Sequence, residues 1–152
     1  MREYRYTVDA EGRIYHDGTE ILDSAVLRFF LQSMKRTEDG QYLVLCQGER
    51  NWFNPYDTPY VVQRLSCVVE GGQLASVELC FAGDYRQPLD PSTLGAEAGR
   101  LFCRLRGGGV LARFGRVALQ QLAPYLAEGP GGPALLLGGR QHPIGDLTPV
   151  TS

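Results

Sequence analysis

Residues 60–81 read YVVQRLSCVVEGGQLASVELCF, in which two long apolar runs flank a glycine turn at residues 70–72. Long runs rich in valine and leucine on either side of such a turn are typical of a β-hairpin. We therefore predict one strand over residues 60–69 and a second over residues 73–81. This hairpin lies near the middle of the chain, with two longer segments before and after it.

The segment before the hairpin predicts two strands, a helix and a third strand. Polar and apolar residues alternate over residues 2–10, which is the period of a half-buried strand, and the turn at Glu11-Gly12 leads into a second predicted strand over residues 13–16. Residues 24–35 place their apolar side chains on one helical face, and Asp23 is a favourable N-cap for that helix. A short apolar strand is predicted over residues 41–46.

The segment after the hairpin repeats this order. The sequence GRIY at residues 12–15 is echoed by GRLF at residues 99–102, which is an offset of 87. The helix face and the last strand recur at an offset of 92. One insertion of five residues in the second copy therefore accounts for the offsets of all three similar segments. The glycine-rich turn at residues 106–109 is the expected place for it. Pro124 should end or kink the second helix near Ala123, because proline removes a helical hydrogen bond.

The predicted fold class is therefore α+β with a mixed or antiparallel sheet. Two tandem strand-strand-helix-strand units, at about residues 4–46 and 99–138, are separated by the β-hairpin. We expect a single domain over residues 1–146 and a flexible tail over residues 147–152.

Composition limits the class of protein. A hydrophobic fraction of 43% and a charged fraction of 21% are ordinary for a soluble globular chain of 152 residues. The formal net charge of −2 does not favour nucleic acid as a partner. No run of eighteen apolar residues is present, so we expect no membrane association and a cytoplasmic location.

No metal site, cofactor or catalytic residue is assigned from the sequence. The four cysteines lie far apart without a Cys-x-x-Cys pair, and there are two histidines, His16 and His142, so a zinc site is not expected. No serine or cysteine stands in a nucleophile motif such as Gly-x-Ser-x-Gly. Cys46 is the thiol for which a reactive role stays open.

Segment 49–60 reads ERNWFNPYDTPY and is the least generic part of the chain. It is too polar for a core and too aromatic for a disordered linker, so we predict an ordered surface loop. Carboxylates, a guanidinium and an amide can orient a polar ligand on which aromatic rings stack. The alternative is that these side chains satisfy one another and stiffen the loop. The candidate binding residues are Glu49, Arg50, Asn51, Trp52, Asp57 and Tyr60.

A second candidate surface is basic. No acidic residue lies between Glu97 and Glu128, whereas five arginines and a run of glycines do. Arginines around bare glycine backbone can bind phosphate. The alternative is that they lie on solvated strand faces and pair with acids elsewhere. The candidate anion-binding residues are Arg100, Arg104, Arg106, Arg113 and Arg116.

Three functions are compatible with these residues. The favoured one is a binding or regulatory module, without enzymatic activity, that uses segment 49–60 to bind a small molecule or a protein. The second is a small-molecule enzyme with Glu49 or Asp57 as acid or base and Arg50 as an anion clamp. The third is phosphate or RNA binding by residues 100–116. Phe29 points away from the apolar face of its helix, which is compatible with a partner surface or a homodimer.

Five parts of the sequence together form a recognisable pattern: residues 2–9, 27–30, 99–102 and 129–135 and, as the most specific part, Glu49-Arg50-Asn51 followed by Asp57 and Pro59. In these residues the chain resembles domain of unknown function 4505, also called uncharacterised protein family 0598, from bacteria and mitochondria. Two positions depart from the family pattern: a glycine is displaced to Gly48, and Cys103 stands where the family tends to have histidine. The resemblance implies an unknown function and a cytoplasmic or, in eukaryotes, mitochondrial location.

A more remote likeness is to domain of unknown function 1285. That likeness rests on the similar order of the motifs. It implies repeated α+β units and a possible part in signalling, and it supplies no reaction.

Overall fold

A computed structural model of the protein describes residues 1–147. The structure is mixed α+β and rich in sheet. In chain order, the elements are β1 (Glu3–Val8), β2 (Ile14–His16), β3 (Thr19–Glu20), α1 (Ser24–Ser33), β4 (Lys35–Arg36), β5 (Tyr42–Cys46), β6 (Glu49–Pro55), β7 (Tyr60–Val62), β8 (Arg64–Glu70), β9 (Gln73–Cys80), β10 (Arg86–Pro88), β11 (Gly95–Glu97), β12 (Arg100–Leu105), β13 (Val110–Phe114), α2 (Arg116–Leu122), β14 (Leu126–Gly129), β15 (Gly132–Leu137), β16 (Arg140–Pro143) and β17 (Gly145–Asp146).

The strands of the described residues 1–147 form four sheets. The first has six strands in the order β3-β2-β1-β6-β5-β4, and the second has five in the order β17-β11-β12-β13-β7. Two three-stranded sheets follow the orders β10-β9-β8 and β14-β15-β16. Most neighbours are antiparallel, whereas β1–β6, β7–β13 and β11–β17 are parallel. The predicted mixed or antiparallel sheet is confirmed at this level.

Helix α1 begins where the sequence predicts and ends two residues early. Asp23 caps it by accepting hydrogen bonds from the backbone N–H groups of Ala25 at 2.9 Å and Val26 at 3.1 Å, which satisfies two donors that the helix leaves free. Met34 is extended and Lys35 already pairs with β5. The predicted end at Lys35 was wrong because strand pairing takes over there.

Helix α2 ends as Pro124 predicts. Its last residue is Leu122, and a single 3₁₀ turn over Ala123–Tyr125 contains the proline. Within residues 1–147, no helix is long and apolar enough to cross a membrane. The expected tail at residues 147–152 lies, apart from Leu147, outside the described part of the chain.

The central hairpin is shorter than predicted. Strands β8 and β9 pair across the glycine turn as expected. Residues 60–62 do not belong to that hairpin, because β7 pairs in parallel with β13 of the second sheet. Since Gln63 interrupts the run, one apolar segment supplies strands to two sheets.

Strand β6 lies inside the first sheet and gives that sheet two distinct faces. Its inner face is turned toward α1, where Phe30 packs against Tyr6 and Phe53 with ring centroids 5.1 Å and 5.0 Å apart. Because side chains alternate along a strand, the neighbours of these residues lie on the opposite, outer face. That outer face carries Arg5 and Thr7 of β1 and Arg50, Trp52 and Asn54 of β6.

Candidate functional site

Segment 49–60 is a strand and a turn, so the predicted surface loop was wrong. Seven of its residues form β6, which pairs in parallel with β1 on one side and antiparallel with β5 on the other. The polar residues that suggested a loop are divided between the two faces of this strand. The structure therefore divides the six candidate binding residues between different environments.

Asn51 lies on the inner face and is 5% exposed. Its Nδ2 donates to the Val44 carbonyl at 3.1 Å, and the Tyr6 hydroxyl donates to its Oδ1 at 3.1 Å. Burial raises the pKa of the Tyr6 phenol, which therefore remains a donor. Asn51 thus ties β5, β6 and β1 together across the inner face.

Glu49 lies at the β5–β6 turn, directly opposite Cys46. Both are partly exposed and border a shallow cleft of about 340 Å³ beside α1, with Val26 and Phe29 on its other side. Phe29 is 40% exposed. This cleft is separate from the outer face that carries Arg50 and Trp52.

Asp57 is nearly buried between two arginines. The Nη1 of Arg100 donates to its Oδ2 at 3.1 Å, and the Nε of Arg113 lies 2.6 Å from the same oxygen. The Arg113 contact is an ion pair without hydrogen-bond geometry, and Arg113 also donates to the Ala10 carbonyl. The backbone N–H of Thr58 donates to the Asp57 Oδ1 at 2.7 Å. Asp57 therefore joins the turn after β6 to strands β12 and β13.

Tyr60 and Arg106 both bind the end of α1. The Tyr60 hydroxyl and the Arg106 Nη2 each donate to the Leu31 carbonyl at 2.5 Å, and Arg106 also reaches the Gln32 carbonyl at 3.0 Å. The guanidinium lies over the Tyr60 ring at 5.7 Å. A cation is favourable at a helix C-terminus, and burial raises the pKa of Tyr60 to about 12. Both side chains thus hold α1 against the rest of the protein.

The arginines of residues 100–116 are not gathered into one surface. Arg100 and Arg113 pair with Asp57, and Arg106 binds α1. Arg104 is half-buried and Arg116 is exposed. Arg100, Arg106 and Arg113 are thus engaged in contacts within the protein, and Arg104 also has an interaction partner there.

An open groove of about 780 Å³ crosses the outer face of the first sheet. We call it the sheet groove. Register places Arg5 of β1 directly beside Trp52 of β6, and Thr7 beside Asn54. Its main lining side chains are Arg5, Thr7, Tyr15, Trp52, Asn54 and Asp57.

Glu3 and Arg50 border the same outer face. The Trp52 Nε1 donates to the Glu3 carboxylate at 3.4 Å, and Arg50 pairs with the same oxygen at 3.4 Å. The Trp52 hydrogen bond, followed by that of Arg50, lowers the pKa of Glu3. The side chain of Arg5, by contrast, forms neither a hydrogen bond nor a direct ion pair with any residue that the structure describes.

The sequence reasoning missed Arg5, Thr7, Tyr15 and Asn54 as site residues. The alternation of residues 2–10 was a usable signal, because it places Arg5 and Thr7 on one face of a strand. What the sequence lacked was the parallel pairing of β1 with β6. Within residues 1–147, no group of three His, Cys, Asp or Glu side chains could hold a metal ion.

Comparison with known proteins identifies a fold. No protein-family model matches the sequence, and no curated protein does. A DUF1285 family protein from Silicibacter pomeroyi DSS-3 matches with a TM-score of 0.69 at 16% identity, over 97% of this chain and 81% of that one. A DUF1285 family protein from Shewanella baltica OS155 matches with a TM-score of 0.60 at 12% identity, over 78% of this chain and 90% of that one.

These similarities show a common fold and no activity. The remote likeness to domain of unknown function 1285 is therefore confirmed at the level of the fold. Both of these proteins belong to a family named for a domain of unknown function.

Proposed function

We propose that the protein is a binding module, without catalytic activity of its own, that holds a small molecule in the sheet groove. The observation that carries this proposal is the pairing of Trp52 with Arg5 in an open groove of about 780 Å³. An aromatic surface beside an unengaged cation is a common way to hold a small ligand.

The size and lining of the sheet groove support this use. Ligand clefts typically measure roughly 300–1,000 Å³ and combine aromatic surface with a few polar groups. The groove offers the indole of Trp52 together with the amide of Asn54 and the hydroxyl of Thr7. Trp52 is half-buried and Asn54 is exposed, so both can contact a ligand without unfolding the sheet.

The enzyme alternative has less support from the geometry. Strand β6 has seven residues, so Glu49 lies about 20 Å from Pro55, at roughly 3.3 Å per residue. Glu49 and Asp57 therefore cannot act as a paired acid and base. Asp57 is held by two arginines, and Arg50 is paired with Glu3.

Phosphate or RNA binding by residues 100–116 also has less support. Arg100, Arg106 and Arg113 would have to leave Asp57 or α1 to reach an anion. Leaving a nearly buried carboxylate without its partner costs free energy, so the intramolecular contacts compete with any external phosphate.

Trp52 provides a direct test, because it is the single tryptophan of the chain. A library of small metabolites is screened by tryptophan fluorescence and by thermal shift. We expect at least one compound to change the Trp52 emission and to raise the melting temperature. Trp52→Phe should weaken binding of that compound about tenfold, measured by calorimetry.

Arg50→Gln is the matched control for this screen. Arg50 lies on the same face of β6 but outside the sheet groove, so binding should be unchanged. A compound that stabilises the wild type and Trp52→Phe equally binds elsewhere, and such a result, or a screen without any ligand, contradicts the proposal.

We also propose that the chain contains two tandem copies of one unit within a single domain over residues 1–146. Strands β1-β2-β3, helix α1 and strands β4-β5-β6 have the same order as β11-β12-β13, α2 and β14-β15-β16, and consecutive strands within each group of three are paired. The two groups of three share one sheet in the first half and lie in separate sheets in the second. In each half the first strand also has a parallel partner at the end of the unit, β6 for β1 and β17 for β11. Superposition of the two halves in a crystal structure should align all of these elements. A different order of strands and helix in the two halves would contradict the repeat.

Membership of domain of unknown function 4505, and with it a cytoplasmic location in bacteria, is a further proposal. The support for this membership is structural. Asn51 and Asp57, which belong to the most specific part of the family motif, form buried contacts that hold the fold together. The structure of a member of that family should contain the same amide bridge between strands. Cell fractionation checks the location.

A further inference from the structure

The sheet groove indicates a class of ligand, an inference that rests on the proposed function. Arg5 and Trp52 are directly opposite on neighbouring strands, so their Cα atoms are about 5 Å apart and both side chains lie on the outer face. The guanidinium of Arg5 is not stacked on the indole, since the cation–π pairs of the described chain involve Arg100 and Arg106 instead. The ring face and the positive charge are therefore both available.

The charges around Arg5 favour an anion. Asp57, which also lines the groove, is already compensated by Arg100 and Arg113. Glu3 interacts electrostatically with Arg5, but its carboxylate is already bound by Trp52 and Arg50. The remaining acid in the lining, Asp17, has an 89% exposed side chain and is screened by water. No carboxylate thus neutralises Arg5 directly.

The polar neighbours favour a heterocyclic ring over a plain aromatic acid. Asn54 follows Trp52 by two residues on the same face, about 7 Å along the strand. A side-chain amide donates and accepts at once, which suits the edge of a nucleobase. We infer that the ligand is a mononucleotide, with its base stacked on Trp52 beside Asn54 and its phosphate paired with Arg5.

Three probes test separately how the base and the phosphate of this ligand contribute to binding. Adenosine monophosphate, adenosine and inorganic phosphate are titrated at low salt and followed by Trp52 emission and by calorimetry. The nucleotide should bind at least about tenfold more tightly than adenosine, because a charge-assisted pair with Arg5 is added to the stacking. Inorganic phosphate should be the weakest. Titration with the guanine, cytosine and uracil nucleotides ranks the bases.

The variant Arg5→Gln isolates the charge. It should weaken binding of adenosine monophosphate about tenfold and leave adenosine unchanged, since only the nucleotide carries a phosphate. Arg50→Gln should change neither affinity, because Arg50 lies outside the groove. Circular dichroism establishes that both variants are folded.

Failure of this inference differs from failure of the proposed function. If adenosine or another neutral compound binds as tightly as the nucleotide in a Trp52-dependent manner, the anion inference is overturned while the binding groove stands. Equal loss of both ligands in Arg5→Gln also overturns it. If neither nucleotide nor nucleoside binds, the inference is wrong, and the wider metabolite screen decides whether the groove binds anything.

Discussion

Two sets of side chains in segment 49–60 differ in how completely their polar groups are paired within the protein. The inward set consists of Asn51, Asp57 and Tyr60, which are buried or nearly so and bind distant parts of the chain. The outward set consists of Arg50, Trp52 and Asn54, which are exposed or half-buried. Both sets have the residue types that active sites use.

This difference separates stability from binding. A polar side chain whose hydrogen-bonding capacity is filled within the protein cannot bind a ligand without giving up those bonds. The inward set should therefore determine folding, whereas Trp52 and Asn54 of the outward set, which line the sheet groove, should determine ligand affinity. Substitutions in each set test that division.

The largest effect is expected for Arg113→Met. The side chains of Arg113 and Asp57 are only 11% and 13% exposed, so the substitution leaves a nearly buried carboxylate with one arginine instead of two. It also removes the donor to the Ala10 carbonyl. We expect a loss of about 3 kcal/mol in the free energy of unfolding, measured by urea denaturation.

Arg100→Gln is the matched control for that prediction. Arg100 binds the same Asp57 oxygen but is 41% exposed, so its loss should cost less than about 1 kcal/mol. Equal losses of stability for the two variants would show that the burial of Arg113 does not matter. Asp57 would then not belong to the inward set that determines folding.

The features that the sequence predicted correctly depend on local chemistry. Asp23 caps α1, Pro124 ends α2 and the glycine turn joins β8 to β9, each through residues only a few positions apart. The central position of β6 depends instead on parallel pairing with β1, which brings Glu3 beside Arg50 across 47 residues. Nothing in the local pattern of residues 49–55 specifies that partner.

A second prediction compares two asparagines of the same strand. Asn51→Leu removes the hydrogen bonds that Asn51 makes with the buried Val44 carbonyl and with the hydroxyl of the half-buried Tyr6, which should cost about 2 kcal/mol. Asn54→Leu, on the exposed face, should change stability by less than about 0.5 kcal/mol. Both are measured by urea denaturation, and a reversed order would contradict the assignment of the two faces.

The candidate arginines show the same limit of sequence reasoning. Their number and the lack of nearby acids were visible in the sequence, and they suggested an anion site. Their partners are Asp57, 43 residues from Arg100, and the carbonyls at the end of α1, more than 70 residues from Arg106. Arg5, the arginine that is left unengaged in the sheet groove, has no distinguishing neighbour in sequence.

A third prediction concerns alkaline pH. Burial raises the pKa of Tyr60 to about 12 from an ordinary value of 10.0, so between these pH values the unfolded chain loses the Tyr60 proton while the folded protein keeps it. The stability present below pH 10 is therefore lost as the pH rises toward 12, by up to about 2 kcal/mol from this residue. Tyr60→Phe should be less stable at pH 7, because it loses the bond to Leu31, but should show a shallower decline above pH 10. Parallel stability curves would contradict this role.

The smallest effect is expected for Arg50→Gln, the outward counterpart of Arg113→Met. The Arg50–Glu3 pair is 46% and 42% exposed, so water and salt screen it and the lost Coulomb energy is offset by the freedom that two long side chains regain. Unfolding by urea should shift by less than about 0.5 kcal/mol at low salt, and by less still at high salt. A loss as large as that of Asn51→Leu would mean that the outward set also stabilises the fold, and the reason for assigning ligand binding to that face would disappear.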